Sequence, residues 1–330
     1  MRMTAVLDRF MREQLLDRRR QLEQGIQHTN HSARLHALLE QVDGALARME
    51  SGSFGICEAF HDTIECDRLI SDPLVRFCLD HLSGSERRSL ERDLELAAQV
   101  QRGLLPAQNL QRDGWRVNYY YEPAGMVSGD YCDVIDGGEA GLYFMVGDVS
   151  GKGLAASMLM SHLHAMFRAL ISVGLSLKCI LEHASSVFAG STLPNQYATL
   201  VCGRAMPDGK VEISNAGHPF PLLVTAADVR VLEGSNLPIG LFKSEDFSVS
   251  EVSLEPGHSL VIYSDDVSET LDISGDEYGV ERLRKQIEWP QSRNPSELLS
   301  ACREDLARFR GHAPKTDDVT LFVLGREGVC

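Results

Sequence analysis

The chain has 330 residues, of which 24% are charged and 43% are apolar, proportions typical of a soluble globular protein. At this length two domains are expected. The net charge is −15, and the acidic excess lies almost entirely beyond Pro106. Because such a field repels nucleic-acid phosphates, general nucleic-acid binding is not expected.

Membrane and secretory signals are not recognised in the sequence. No run approaches the roughly 18–20 apolar residues that a membrane span needs, and residues 1–20 lack the apolar core of a signal peptide. The eight cysteines are far apart and do not form the dense pattern of a secreted disulfide scaffold. The sequence therefore predicts a cytoplasmic protein that makes no membrane contact.

The first predicted segment, residues 1–84, is helical at its start. Apolar residues recur at helical spacing over residues 7–22 and again over 35–49, and polar residues 28–32 separate the two runs. This pattern predicts an antiparallel helical hairpin. A compact stretch over residues 52–81 comes after the hairpin.

The end of this hairpin and the compact stretch carry a family likeness. Residues 45–57 (ALARMESGSFGIC) and 64–73 (IECDRLISDP) resemble the DksA/TraR zinc-finger family. Members of that family reach RNA polymerase with an acidic hairpin tip, and the turn over residues 27–32 (QHTNHS) has no clear match to it. The resemblance therefore implies an RNA polymerase contact only weakly.

The zinc ligands that this resemblance implies are incomplete. Cys57 and Cys78 stand at the family spacing, and His81 can replace the last cysteine because imidazole binds Zn²⁺ well. Phe60 stands where the second cysteine should be, and it cannot bind metal. A metal-free knuckle is favoured over a degenerate Zn²⁺ site of Cys57, Cys78 and His81.

Residues 85–106 form the second predicted segment, a connecting helix that Pro106 ends. A 3-4-3 heptad spacing runs through Leu90, Leu94, Ala97, Gln101 and Leu104. This rhythm suits a short parallel coiled coil and hence a homodimer. The same helix could equally pack against its own catalytic domain.

The third segment, residues 107–330, mixes strands with a few helices. Residues 154–173, 177–188 and 296–309 predict amphipathic helices, and short strands cluster before and after them. Helices that sit together between runs of strands favour an α+β fold.

Four acidic motifs in this segment carry most of the functional information: 128–131 (SGDY), 148–153 (DVSGKG), 264–266 (SDD) and 316–320 (TDDVT). The second and third follow apolar runs typical of buried strands, and the fourth precedes one. A carboxylate at the end of a buried strand is costly without a cation beside it. Each motif alone also fits ordinary turn chemistry, but the set predicts an oxygen-rich site for a hard divalent cation.

The surrounding sequence resembles the PPM-type, metal-dependent serine/threonine phosphatases of the SpoIIE/RsbU-like branch over residues 91–324. The likeness is carried, in order, by 93–106 (DLELAAQVQRGLLP), 122–131 (EPAGMVSGDY), 148–153, 215–219 (NAGHP), 237–241 (LPIGL), 256–265 (PGHSLVIYSD) and 317–321 (DDVTL). It implies two packed antiparallel β-sheets flanked by helices.

The resemblance also implies a site that holds two Mn²⁺ or Mg²⁺ ions. By motif match, Asp148 bridges both ions, Val149 contributes its carbonyl, Asp265 and Asp317 hold the second ion, and Asp130 acts directly or through water. Asp148, Asp265 and Asp317 are the implied catalytic residues. Water that bridges such ions is acidified, so hydroxide can attack a phosphoserine or phosphothreonine near neutral pH.

Two positions leave the site open to other interpretations. The family has glycine where this chain has Asp266, and the extra carboxylate can recruit another ion or repel a phosphate. His218, in the NAGHP motif, is a candidate general acid, but a structural role in a turn is favoured.

In the branch that the chain resembles, the usual substrate is a phosphorylated STAS-domain anti-sigma-factor antagonist in a partner-switching signalling pathway. Asp266 and the damaged zinc motif raise an alternative. In that case the catalytic half is a weak or inactive scaffold, and the DksA-like module docks on RNA polymerase or another partner.

Overall fold

The computed structural model describes residues 5–28, 32–59, 61–78, 84–193, 196–242, 246–288 and 294–327. The chain divides into two compact units, Met1–Leu96 and Ala97–Cys330. The boundary lies inside the predicted connecting helix.

The first unit is helical. It contains α1 (Ala5–His28), α2 (Ser32–Glu50), the short α3 (Cys66–Ser71) and the start of α4 (Gly84–Leu104). The first two helices pack through a shared apolar core that includes Leu15, Leu22, Leu35, Val42 and Ala45. The two helical runs predicted from spacing are therefore both present.

The second unit is built on two antiparallel sheets. The six-stranded sheet has the order β1-β2-β11-β10-β7-β8 and the five-stranded sheet has the order β3-β4-β5-β6-β9. The strands of the first sheet are β1 (Leu110–Arg112), β2 (Trp115–Glu122), β7 (Leu222–Val224), β8 (Val229–Val231), β10 (Ser259–Tyr263) and β11 (Val319–Arg326). Those of the second are β3 (Asp130–Asp136), β4 (Leu142–Val149), β5 (Ala198–Ala205), β6 (Lys210–Ala216) and β9 (Ser250–Ser253).

The two sheets enclose a common apolar core. Phe144 of β4 and Phe322 of β11 stack with ring centroids 6.0 Å apart, and both are fully buried together with Val146, Leu260 and Leu324. β-branched and aromatic residues of this kind suit half-buried pleated surfaces. The layer between the sheets fixes the strand ends that carry the acidic motifs.

Helices cover the outer faces of both sheets. The helices of this unit are the end of α4, then α5 (Gly153–Ser172), α6 (Leu177–Ser191), α7 (Asp265–Glu269), α8 (Val280–Glu288) and α9 (Pro295–Arg310), with a short 3₁₀ helix at Gly138–Ala140. Buried side chains of α5 and α6 share a core with β4 and β5, and those of α8 and α9 share one with β10 and β11. The predicted α+β fold of two antiparallel sheets flanked by helices is confirmed.

Helix α5 corrects one expectation from the sequence. Among the described residues it alone is long and apolar enough, by length and composition, to cross a membrane. Its Met160, Leu163 and Phe167 are fully buried in the core that α5 shares with α6 and the five-stranded sheet. Its apolar character is therefore explained by packing within the second unit.

The end of α4 belongs to the second unit. Gln101 is buried there, and Leu104 packs against the core beneath α5 and α6. Leu96 and Val100 of the same helix are 60% and 58% exposed. The sequence left two alternatives for this helix, a coiled coil with a second copy or packing against its own catalytic domain. The last turn of α4 packs against the catalytic unit.

Candidate metal centre and active site

Strand pairing places two of the predicted ligands side by side. Asp130 opens β3, Asp148 lies near the end of β4, and the two are direct partners in the antiparallel ladder. Asp130 is buried and Asp148 is half-buried. Ligands from the first and second acidic motifs therefore lie side by side at one end of the five-stranded sheet.

Gly129 allows the chain to pass close to these ligands. A Cβ atom at this position would lie 3.0 Å from Asp148 Oδ1 and 3.3 Å from the Val149 carbonyl oxygen. Any side chain would therefore press on two of the predicted donor atoms.

The other two predicted ligands lie at strand ends of the six-stranded sheet. Asp265 follows β10 at the start of α7, and Asp317 lies two residues before β11. Strands β10 and β11 are antiparallel neighbours, with Tyr263 paired to Leu321. The end of one strand and the start of the other are thus adjacent, which brings Asp265 and Asp317 to the same edge.

The four carboxylates interact electrostatically. Burial raises the pKa of Asp148 well above its ordinary value, and the charges of Asp265 and Asp317 raise it further. Burial likewise raises the pKa of Asp130, with added repulsion from Asp148. The sequence prediction that Asp130, Asp148, Asp265 and Asp317 meet in space agrees with this mutual repulsion.

Asp266, the departure from the family glycine, belongs to the same acidic cluster. It lies in the first turn of α7 and is not among the described non-glycine residues with positive φ, so aspartate fits its backbone without strain. Burial raises its pKa well above the ordinary value, and Asp317 and Asp265 add to that shift. A cation held nearby would favour the charged form of this carboxyl.

Lys152 is a cation within this group of acids. Its ammonium forms an ion pair with Asp317 Oδ2 and donates to the Thr316 carbonyl at 3.3 Å. Its charge also lowers the pKa of Asp148, Asp265 and Asp266 against the larger raising effects. The sequence analysis assigned no role to Lys152.

Asp318 and Thr320 hold the loop and strand around the ligands. Asp318 accepts from the Ala124 N–H at 2.6 Å and from the Gly129 N–H at 2.9 Å. The buried Thr320 hydroxyl donates to Asp130 Oδ2. The sequence analysis missed Thr320, although a polar residue inside the apolar run of β11 was the available signal.

His218 is a scaffold residue in this arrangement. Its N–H donates to Asn215 Oδ1 and its carbonyl accepts from Asn215 Nδ2, both at 2.8 Å. Its Nδ1 lies 2.9 Å from the Thr199 hydroxyl, and Thr199 pairs with Asp148 across the ladder. Burial lowers the pKa of His218 to about 3, so near neutral pH it carries no proton to donate as an imidazolium.

The donor set fits hard divalent cations. Carboxylate and carbonyl oxygens are the ligands that Mg²⁺ and Mn²⁺ prefer. Burial and neighbouring carboxylates raise the pKa values of Asp130, Asp148 and Asp265, and a cation would favour the charged form of each. Among the described residues, no three Asp, Glu, His or Cys side chains already form a metal cage. Asp130, Asp148, Asp265, Asp317 and the Val149 carbonyl are the groups that would hold the ions, and Lys152 lies beside Asp317 as an ion-pair partner.

The predicted zinc ligands are only partly described. Cys57 and Cys78 are both buried in one small apolar core of the first unit, together with Ile64, Leu69 and Ile70. His81 lies outside the described residues, as does Phe60. The two cysteines therefore share a core, while the degenerate Zn²⁺ site stays a prediction.

The fold and the acidic edge define a class of protein. Two packed antiparallel sheets with aspartates gathered at their strand ends form a PP2C-type phosphatase domain. The SiaA-PP2C domain of Pseudomonas aeruginosa has this fold, with a TM-score of 0.64 and 19% identity over 74% of this chain and 98% of its own. The family profile for Stage II sporulation protein E (SpoIIE) matches residues 138–327. The chain belongs to the SpoIIE family.

Two curated relatives extend the comparison. Protein IcfG of Synechocystis sp. is 24% identical over 71% of this chain, and the match spans 41% of IcfG. Phosphoserine phosphatase RsbU of Bacillus subtilis is 25% identical over 73% of this chain and 72% of RsbU. The chain thus spans less than half the length of IcfG and most of the length of RsbU.

Proposed function

We propose that this protein is a Mn²⁺- or Mg²⁺-dependent protein serine/threonine phosphatase that hydrolyses phosphoserine or phosphothreonine in a regulatory protein. The single observation that carries the proposal is strand placement: Asp130 lies opposite Asp148 in the β3–β4 ladder, and Asp265 and Asp317 lie at the adjacent ends of the paired strands β10 and β11. When bound, two divalent ions acidify water and neutralise charge on the phosphoryl group.

The ligand roles in this proposal follow the geometry. Asp148 pairs with Asp130 across the β3–β4 ladder, and the charges of Asp265 and Asp317 act on it, so we assign it as the carboxylate that both ions would share. The Val149 carbonyl lies beside the Asp148 side chain at the Gly129 position. Asp265 and Asp317 hold the second ion, and Asp130 acts directly or through water.

The approach to the site carries positive charge for an anionic substrate. A small surface depression is lined by Asp266 and Asp317 together with Arg310 and Lys315. Lys315 and Arg310 lie 3.0 and 3.6 Å from the Glu122 carboxylate. A phosphoprotein that brings its own negative charge can compete with Glu122 for these cations, which offsets the acidic field of the chain.

The substrate that fits this proposal is a phosphorylated STAS-domain antagonist in a partner-switching pathway. Its support is the similarity to RsbU, which is named as a phosphoserine phosphatase. The proposed setting is the cytoplasm, and the domain division is 1–84 for a regulatory module, 85–106 for a connecting helix and 107–330 for the phosphatase. The DksA/TraR likeness of the first module belongs to this proposal as well.

A homodimer through the connecting helix is also part of the proposal. Two of the predicted heptad positions, Gln101 and Leu104, pack within the catalytic unit. The exposed side chains of Leu90, Leu96 and Val100 give this helix apolar surface for a second copy. Analytical ultracentrifugation of the wild type and of Val100→Glu tests it, since loss of dimer in the variant is the expected result.

The phosphatase activity is tested by release of phosphate from a phosphoserine peptide and from p-nitrophenyl phosphate as Mn²⁺ is titrated. We expect metal-dependent turnover by the wild type and its loss in Asp148→Asn. Glu233→Gln, which removes an exposed carboxylate outside the acidic cluster, is the matched control and keeps full activity. Equal rates for Asp148→Asn and the wild type would overturn the proposal.

A further inference from the structure

The buried side chain of Gln101 makes two hydrogen bonds to the backbone of one residue. Gln101 Oε1 accepts from the Ser128 N–H at 2.9 Å, and Gln101 Nε2 donates to the Ser128 carbonyl at 2.6 Å. Gln101 is only 4% exposed. The Gln101 amide thus satisfies both the backbone N–H and the backbone carbonyl of Ser128. In a β-sheet a neighbouring strand would supply these two hydrogen bonds.

Ser128 stands immediately before the predicted metal-binding pair of Gly129 and Asp130. Each backbone polar group of these three residues has a partner. Gly129 N–H donates to Asp318 and Gly129 carbonyl accepts from Val149 N–H at 3.4 Å. The Asp130 N–H donates to the Ser128 hydroxyl at 3.0 Å, and the Asp130 carbonyl accepts from Tyr121 at 3.2 Å.

Gln101 and Asp318 hold this loop from two different parts of the chain. Asp318 fixes Ala124 and Gly129, while Gln101 fixes Ser128 from the last turn of α4. The space around Gly129 is tight, with Asp148 Oδ1 3.0 Å from a Cβ at that position. A shift of Ser128 would therefore displace both Gly129 and the Asp130 carboxylate relative to Asp148.

We propose that Gln101 is a positioning residue that sets the affinity of the divalent-cation site by holding Ser128, and through it the Asp130 carboxylate, in register with Asp148. This inference builds on the proposed function, because it assigns Asp130 to the metal centre. It gives the end of α4 a chemical role, since any displacement of this helix turn acts on the loop that carries a metal ligand.

The experiment measures Mn²⁺ binding by calorimetry in the absence of substrate. Gln101→Met replaces the amide by an apolar side chain of similar length and removes both hydrogen bonds. We expect Mn²⁺ to bind about 10- to 100-fold more weakly, the range for partners that orient metal ligands. At limiting Mn²⁺ the activity falls, and at saturating Mn²⁺ it recovers toward the wild-type kcat because the ligands themselves remain.

Two controls separate this role from simple stabilisation. Gln99→Met changes an exposed glutamine on the same helix and is expected to leave Mn²⁺ binding unchanged. Leu104→Ala removes core packing of the same helix turn without touching Ser128, so it lowers the melting temperature while Mn²⁺ affinity stays within about twofold. Gln101→Glu, which keeps the acceptor for the Ser128 N–H and loses the donor, is the second variant, and its Mn²⁺ binding is expected to weaken too.

The outcomes distinguish this inference from the proposed function. If the wild type and both Gln101 variants bind Mn²⁺ equally well, and the variants lose only thermal stability as Leu104→Ala does, the positioning role is wrong while the phosphatase proposal stands. If the wild type takes up no Mn²⁺ and has no metal-dependent activity, the proposed function and this inference both fail.

Discussion

Asp130 and Asp148 stand opposite each other in the antiparallel pairing of β3 and β4, and Gly129 passes within van der Waals reach of the Asp148 carboxylate. Asp148 raises the pKa of Asp130 by direct repulsion. Antiparallel pairing alone therefore creates an anionic pair at one end of the five-stranded sheet, and the loops after β10 and before β11 add Asp265 and Asp317 to it.

Gly129→Ala tests how closely the loop must approach this pair. The added methyl group meets Asp148 Oδ1 at 3.0 Å and the Val149 carbonyl oxygen at 3.3 Å, so the donor atoms must move. We expect Mn²⁺ to bind about tenfold more weakly, as measured by calorimetry. Gly103→Ala adds a methyl group in α4 where no atom lies within 4 Å, and unaltered binding is expected there. Equal affinities for both variants would contradict the crowding argument.

Lys152→Met tests whether the ammonium competes with metal. Lys152 pairs with Asp317, and a bound cation must displace it or tolerate its charge. Removing that charge is expected to tighten Mn²⁺ binding by about tenfold. This change corresponds to only a small part of the repulsion energy between two partly buried positive charges. Lys178→Met, which removes an exposed ammonium paired with Asp246, is the matched control. Weaker Mn²⁺ binding in Lys152→Met would instead show that the lysine supports the site.

His218→Asn tests the scaffold role of the histidine. Burial lowers the pKa of His218 to about 3, so its imidazole is neutral across the working pH range. The variant is expected to lose about 1–3 kcal/mol of folding stability through broken buried hydrogen bonds. The shape of its pH–rate profile should match that of the wild type and of the surface variant His183→Asn. Loss of one limb of the profile would identify His218 as an acid–base group.

Several parts of this site could be predicted from the sequence, because they depend on local patterns. The apolar run at residues 142–146 is the body of β4 (Leu142–Val149), and the helix predicted at 154–173 is α5 (Gly153–Ser172) within one residue at each end. The acidic motifs at strand ends were recognisable because a buried strand that ends in a carboxylate is unusual. Their convergence followed from the family resemblance.

Other parts could not be predicted, because they depend on pairings between distant segments. Gln101 fitted the heptad rhythm of α4, but its amide holds Ser128, and spacing along a helix does not reveal a backbone partner on another segment. The same limit applies to the ion pair of Lys152 with Asp317. The apolar length of α5 was underestimated, since its few polar residues interrupt the run without making the helix polar overall.

Asp305→Asn tests the buried ion pair that joins α8 to α9. Asp305 accepts from Arg282 at 2.8 and 3.0 Å and from the Tyr278 hydroxyl at 3.0 Å, and the Arg282 hydrogen bonds lower its pKa. A lowered carboxyl pKa stabilises the fold above the unfolded value of about 3.9, and that contribution is lost as pH falls through the folded pKa. At pH 7 the variant is expected to be about 1–3 kcal/mol less stable.

Urea unfolding across pH measures this effect. The stability difference between wild type and Asp305→Asn should shrink as pH falls below about 4, because the unfolded wild-type chain then binds a proton that the folded carboxyl, with its lowered pKa, does not. Asp228→Asn alters an exposed pair with Arg230 and should change stability by less than about 1 kcal/mol at any pH. A difference for Asp305→Asn that stays constant down to low pH would contradict the assignment.

The central claim is that the acidic edge binds a pair of divalent ions through Asp148 and its neighbours. Isothermal titration of the metal-free protein with Mn²⁺ measures this directly, with Asp148→Asn and Glu233→Gln titrated in parallel. The account predicts uptake of two ions by the wild type and by Glu233→Gln, and loss of binding in Asp148→Asn. Absence of Mn²⁺ uptake by the wild type, or identical isotherms for the wild type and Asp148→Asn, would contradict it.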